Sequence, residues 1–231
     1  MSRLNNTFRG LLLCYVTDRH NFAATDSREA QETLLSKIEA AADAGVDWIQ
    51  IREKDLSGKD CCSLTREALQ RAAKSSTRKT APTQILVNDR LDVAFSERAG
   101  GVHLGERSLP LAEAQRLVEN RGERKPFLIG VSCHSLEAAR TAARGGADYL
   151  FFGPVFVTSS KAAFGAPQGL ERLAKVCRGV SIPVLAIGGI TLENAADCLA
   201  ASASGIAAIR LFQDAPDMSF VVNFLRKLMP D

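Results

Sequence analysis

Eight short, β-rich apolar runs recur along the chain, at Leu11–Val16, Asp47–Ile51, Gln84–Val87, Gly101–Leu104, Phe127–Val131, Tyr149–Phe152, Pro183–Ile187 and Gly205–Ile209. Runs of this length, bounded by turn-forming residues, read as strands. Between them lie segments of helical period, such as Glu32–Ala44, with Leu34, Leu35, Ile38 and Ala42 on one face, and Leu111–Val118 after Pro110. Such alternation predicts parallel strands joined by right-handed crossovers. With eight strands and no G-x-G-x-x-G opening, closure into an α/β (β/α)8 TIM barrel is favoured over an open doubly wound sheet. Two helix ends repeat one design: Ala41–Asp47 and Ala142–Asp148 both place glycine where a helix C-cap needs left-handed φ, immediately before a strand.

No linker or break in composition divides the chain, so residues 1–231 are expected to form a single domain, with Lys74–Thr83 as a polar surface loop. The 29 basic and 26 acidic residues leave a formal charge of only +3, spread without a basic run, which argues against a nucleic-acid partner. The apolar run near the N-terminus, Leu11–Val16, is too short for a signal segment or membrane span, so a cytoplasmic location and no membrane partner are expected. Cys14, Cys61, Cys62, Cys133, Cys177 and Cys198 lack paired C-x-x-C spacing and are expected to stay thiols, mostly as small core residues. A homo-oligomer is compatible with such a chain.

In a barrel of this kind the polar residues just after each strand form the active site. After strand 2, Gln50, Arg52 and Lys54 fall on one side by the period-two rule, an amide and two cations suited to a polar ring and a polyphosphate. The structural alternative is a solvated strand end paired with Glu53 and Asp55. After strand 3, Asn88 suits a heterocycle and Asp89 suits Mg²⁺ beside substrate phosphate, although Asn-Asp is also ordinary turn and N-cap chemistry before a helix near Leu91. Strand 4 ends in His103-Leu104-Gly105-Glu106 and strand 5 in Ser132-Cys133-His134-Ser135, where a lone barrel histidine reads first as structural and Ser135 as a helix N-cap. Strand 6 leads into a hydroxyl-rich loop containing Thr158, Ser160 and Lys161, readable as a phosphate-closing loop or as a plain surface loop. The strongest phosphate signal is Gly188-Gly189-Ile190-Thr191 after strand 7, joined by Ile209-Arg210 after strand 8; its structural alternative is a βα turn capped by Thr191.

Taken together, from Tyr15-Val16-Thr17-Asp18 to Ala208-Ile209-Arg210, these motifs resemble the thiamine phosphate synthase family, which also includes the thiazole tautomerases. The resemblance implies a magnesium-dependent transferase that joins a hydroxymethylpyrimidine pyrophosphate to a thiazole phosphate and releases pyrophosphate. It further implies that Gln50 and Asn88 bind the pyrimidine and that Arg52, Lys54 and Lys161 hold the pyrophosphate. Ser132 would lie near the reacting groups, Asp89 would bind the metal, and Thr158, Ser160, Gly188 and Gly189 would receive the thiazole phosphate with Ile209 and Arg210. Two positions depart from the family pattern. Where the synthases read H-L-G-Q-x-D after strand 4, this chain has Glu106 for the glutamine and Ser108 for the aspartate. Glu106 is expected to supply the missing carboxylate for Mg²⁺. After strand 8, Arg210 replaces a small hydroxyl residue. Two alternatives stay open: a tautomerase using His134 as acid/base, and a non-catalytic paralogue that binds phosphorylated ligands.

Overall fold

The computed structural model describes residues 10–23, 26–74, 82–121, 127–158 and 166–228. Eight strands, β1 (Leu12–Val16), β2 (Trp48–Ile51), β3 (Gln84–Asn88), β4 (Gly101–Leu104), β5 (Leu128–Cys133), β6 (Tyr149–Phe152), β7 (Val184–Ile187) and β8 (Gly205–Ala208), pair in sequence order. All ladders are parallel, and β8 returns to β1 to close the barrel. The crossovers are α1 (Ser27–Ala44), α2 (Gly58–Lys74), α3 (Leu91–Ser96), α4 (Leu111–Asn120), α5 (Leu136–Arg144), α6 (Gly169–Gly179) and α7 (Ala195–Ala200). A short helix α8 (Arg210–Gln213) and the terminal α9 (Met218–Arg226) follow β8. Among the described residues no helix is long and apolar enough to cross a membrane, and all six cysteines are free thiols.

Strand parity divides the side chains into two cores. Outward residues such as Leu13, Ile49, Ile85, Leu150 and Ile206 pack with the inner faces of the helices. Inward residues Leu12, Cys14, Val16, Trp48, Leu86, Leu128, Tyr149, Phe151, Leu185 and Ala207 fill the barrel itself. The register carries the inward set upward to a polar ring: Val16 pairs with Gln50, Asn88 with His103, His103 with Gly130, and Ser132 with Phe151. Gly130 makes this layering possible, because a Cβ there would stand 2.0 Å from the Tyr149 ring and 2.4 Å from its hydroxyl.

Several local expectations sharpen. Helix α1 begins five residues before the apolar periodicity suggests, because the Asp26 carboxylate accepts from the amides of Arg28 and Glu29 at 2.8 and 2.9 Å. Gly45 closes it with φ 87°, whereas in the second glycine pair the positive φ falls on Gly146, at 85°, not on Gly145. Ser135 caps α5 as expected, accepting from the Ala138 amide at 3.1 Å. Thr191 is not the cap of α7, which starts only at Ala195; instead the Asn194 side chain accepts from the Thr191 amide and donates to the Gly189 carbonyl, pinning the turn. Most of the expected loop Lys74–Thr83 lies outside the described residues, and Lys74 itself ends α2.

Gly130→Ala forces Tyr149 out of its slot. The expected loss is about 1–3 kcal/mol, the usual cost of overpacking a filled core, seen as a Tm lower by several degrees at this chain length. An unchanged Tm in thermal melts would show that the Tyr149 slot is slack.

Candidate active site

The end of β2 sorts its charges by direction. Glu53 is buried and turns to the β1 side, where it accepts from the Thr17 hydroxyl at 2.6 Å and from the Arg19 amide and guanidinium at 3.1 and 3.0 Å. Arg19 also grips Asp55 through two guanidinium nitrogens, and this ion pair holds the Asp55 carboxyl well below its ordinary range. The acids beside Arg52 and Lys54 are therefore engaged by Arg19, and the solvated ion-paired reading of this strand end is not the arrangement found. Arg52 is half-buried, and Lys54, in the turn that follows, is exposed. Burial, with the Arg52 and Arg107 charges, lowers the Lys54 pKa, while Asp89 and Asp18 act in the opposite sense. Two cations whose charges act on one another favour an anion.

Beside them runs a continuous polar chain. Gln50, 2% exposed, donates from Nε2 to Asn88 Oδ1 at 2.9 Å, and Asn88 Nδ2 donates to Asp89 Oδ2 at 2.9 Å. Gln50 Oε1 is buried and, among the described residues, accepts no hydrogen bond, an acceptor suited to an amino group on a ligand. Asn88 and Asp89 do not cap α3, whose N-cap is Arg90 without a side-chain cap bond. Asp89 instead adopts φ 63°, and its Oδ1 accepts from the Ser108 hydroxyl and, at 3.5 Å, from the Gly105 amide. Gly105 N–H also donates to Ser108 Oγ at 2.6 Å. Glu106 lies apart from this group: its carboxylate, on a largely exposed side chain, is 3.7 Å from His134 Nε2. Among the described residues no three His, Cys, Asp or Glu side chains gather as a metal centre. What Asp89 and Ser108 offer is hard oxygen at one point, donors of the type suited to a hard cation.

His103 and Ser132 form a third group, which the sequence reading treated separately. His103 is buried, with Nε2 2.9 Å from Ser132 Oγ, Nδ1 3.1 Å from the Tyr149 hydroxyl, and its ring 4.2 Å from that of Phe151. Burial raises the Tyr149 pKa far above its ordinary value, so the phenol keeps its proton. Assigning that phenol as donor to Nδ1 puts the ring proton on Nε2, directed at Ser132 Oγ. The Ser132 hydrogen is then left for a group in the barrel mouth. Parity was the signal available for His103, since it alternates with the outward Val102 and Leu104 on β4. His134 stands nearer the rim, its Nδ1 bonded to the Gly153 carbonyl and its Nε2 toward Glu106. Cys133 points outward, and burial together with Glu106 pushes its thiol up to about 12, which leaves it a packing residue.

On the far side, the β7 turn carries Gly188 at φ 98° and Gly189 at φ 68°. Both are pressed against the loop after β6: added Cβ atoms would stand 2.5 Å from Pro154 Cβ and 2.5 Å from the Val157 carbonyl oxygen. That loop hydrogen-bonds back through Val155 N to Ile187 O and Phe156 N to Gly188 O, at 2.9 and 3.0 Å, which brings the half-buried Thr158 towards the β7 side. Ile209 packs against the barrel interior, and Arg210 is the exposed first residue of α8. Ser160 and Lys161 lie outside the described residues.

The mouth thus offers cations, paired amides, a carboxylate with a hydroxyl, and a glycine turn, all at the C-terminal ends of the strands. The profile of the thiamine monophosphate synthase family matches residues 16–212. The chain is 40% identical over 217 residues to the thiamine-phosphate synthase of Methanoculleus marisnigri, covering 94% of each. It is 38% identical over 218 residues to that of Chloroflexus aurantiacus, covering 94% of this chain and 95% of the relative. Among solved structures, a thiamine phosphate pyrophosphorylase from Pyrococcus furiosus superposes with a TM-score of 0.76 at 32% identity, over 94% of this chain and 95% of that one. Family profile, relatives and fold agree, and the chain belongs to the thiamine monophosphate synthase family.

Proposed function

We propose that this chain is a cytoplasmic thiamine-phosphate synthase that transfers hydroxymethylpyrimidine from its pyrophosphate ester to the ring nitrogen of a thiazole phosphate. The observation that carries this reading is the set Gln50, Arg52, Lys54 and Asn88 on adjacent strand ends, with the neighbouring acids drawn away by Arg19. A tautomerase acting on a thiazole phosphate alone has little use for that set.

In the proposed reaction the bond between the pyrimidine methylene carbon and pyrophosphate oxygen breaks, and pyrophosphate leaves with the electron pair. The thiazole nitrogen then gives its lone pair to the methylene carbon. Such a step needs the departing trianion stabilised more than it needs a base. Arg52 and Lys54, joined by Lys161, supply that charge, Gln50 and Asn88 orient the pyrimidine, and the Ser132 hydroxyl donates beside the reacting groups. Thr158, Ser160, Gly188, Gly189, Ile209 and Arg210 receive the thiazole phosphate. Asp89 would hold Mg²⁺ with help from Ser108, and Glu106 would join by rotating away from His134. The metal, when bound, supplies further positive charge to the leaving oxygens.

The direct test is to incubate the pure protein with both substrates and Mg²⁺ and to measure thiamine phosphate; absence of product would reject the synthase reading, and turnover of a carboxythiazole phosphate alone would replace it with the tautomerase. Arg52→Met and Lys54→Met are each expected to lower kcat/KM by about 10²-fold or more, as for loss of one preorganised charge partner. Because the Lys54 pKa lies below the ordinary lysine value of ~10.4, its charge is present at low pH and lost as pH rises through that lowered value. Affinity for inorganic pyrophosphate should fall over this window, and Lys54→Arg should carry the fall to higher pH. For the metal, Glu106→Gln is expected to raise the Mg²⁺ concentration giving half-maximal rate and Ser108→Asp to lower it; an unaltered requirement in Glu106→Gln would remove Glu106 from the metal site.

A further inference from the structure

Arg52 and Lys54 sit beyond the last residue of β2, on a short segment of four consecutive charged side chains, Arg52 to Asp55. Nothing in such a segment's own sequence decides which pair faces the mouth, because rotating it by one residue exchanges cations for acids. The decision is made by one side chain on the neighbouring strand end. Thr17, fully buried, follows β1 and extends its ladder, donating its amide to the Gln50 carbonyl at 3.0 Å. Its hydroxyl then makes two bonds at once: it accepts from the Arg52 amide at 2.9 Å and donates to Glu53 Oε1 at 2.6 Å. Three successive contacts on Gln50, Arg52 and Glu53 fix the rotation of the segment. The carboxylate so held is completed by the Arg19 amide and guanidinium.

A buried carboxylate and guanidinium are a poor means of adding stability, since the desolvation of both offsets most of their attraction. They are effective at selecting one arrangement, because a one-residue rotation would turn Glu53 toward the mouth and take its carboxylate from the buried Arg19. We propose that Thr17 is a positioning residue: its hydroxyl, anchored on the Glu53–Arg19 pair, sets the Arg52–Lys54 arm toward the pyrophosphate of the substrate. Thr17 does not touch that substrate and acts only through the arm. This inference rests on the synthase reading for its ligand, and inorganic pyrophosphate as probe separates the two.

Thr17→Val preserves shape and removes both hydroxyl bonds, while Thr17→Ser keeps them. The expected result for Thr17→Val is a Kd for inorganic pyrophosphate in Mg²⁺ buffer raised at least about tenfold, with a similar rise in KM for the pyrimidine pyrophosphate. A displacement of about 1 Å in a binding group commonly costs up to about 10²-fold. The KM for thiazole phosphate should stay within about twofold, and Thr17→Ser should restore wild-type values. If Thr17→Val does not fold, Thr17→Ala, which also lacks the hydroxyl, takes its place. Equal losses toward both substrates, an unchanged pyrophosphate Kd, or failure of Thr17→Ser to restore it would overturn the proposal. A wild-type protein that binds pyrophosphate yet forms no thiamine phosphate would reject the synthase reading while leaving the comparison of Thr17 variants intact.

Discussion

The structure depends on a single geometric constraint: eight parallel strands closed on themselves leave half of every strand's side chains inside one fixed volume. Residues low in that volume must fill it, and those at its upper end meet the mouth. Trp48 and Tyr149 are the largest side chains packed inside it, with ring centroids 4.6 Å apart, and the absence of a side chain at Gly130 admits the Tyr149 ring. Tyr149 then belongs to both regions. Its ring is core, and its hydroxyl meets His103, which in turn meets Ser132. The packing of the barrel floor and the orientation of a hydroxyl at the mouth are set by one residue.

The charges after β2 are organised by neighbouring groups. Thr17 and Arg19 hold Glu53 on the β1 side, and Arg19 also collects Asp55. Cations kept away from their own neighbours and close to each other are poorly satisfied, which is why Arg52 stands among the causes that lower the Lys54 pKa. In the proposed reaction an arriving pyrophosphate would relieve that repulsion, so that part of the attraction for the anion would be built in when the chain folds. Asp89 limits the excess from the β3 side while presenting its carboxylate in a backbone conformation, φ 63°, that few residues other than glycine, asparagine and aspartate adopt at little cost.

What was legible in the sequence was whatever repeats with a short period. Strand positions agree to within one or two residues, and the inward parity of Gln50, two residues after the inward Trp48, follows from alternation alone. Features that depend on one local bond were harder to see. The first turn of α1 has Ala30 as its only buried residue and is fixed by Asp26 rather than by an apolar stripe. The neighbour of Glu106 is chosen by loops after two different strands, so spacing could not place it against His134. His103 was discounted as a lone histidine, although its inward parity, one pairing step from Asn88, puts it among the mouth residues.

The β7 glycines show how two causes can converge on one residue type. A phosphate signal was read from them because backbone N–H groups approach an anion most closely where no side chain intervenes. The structure adds a separate reason: Gly188 and Gly189 are pressed by Pro154 and Val157, and any Cβ would push the β6 loop away. The glycines alone are therefore a weaker sign of phosphate than the sequence suggests, and the weight passes to what their packing accomplishes. Bonds from Val155 and Phe156 to Ile187 and Gly188 hold the start of the β6 loop against the β7 turn. These two backbone bonds tie the start of the β6 loop to the β7 turn, so that a change of packing at either glycine reaches both segments.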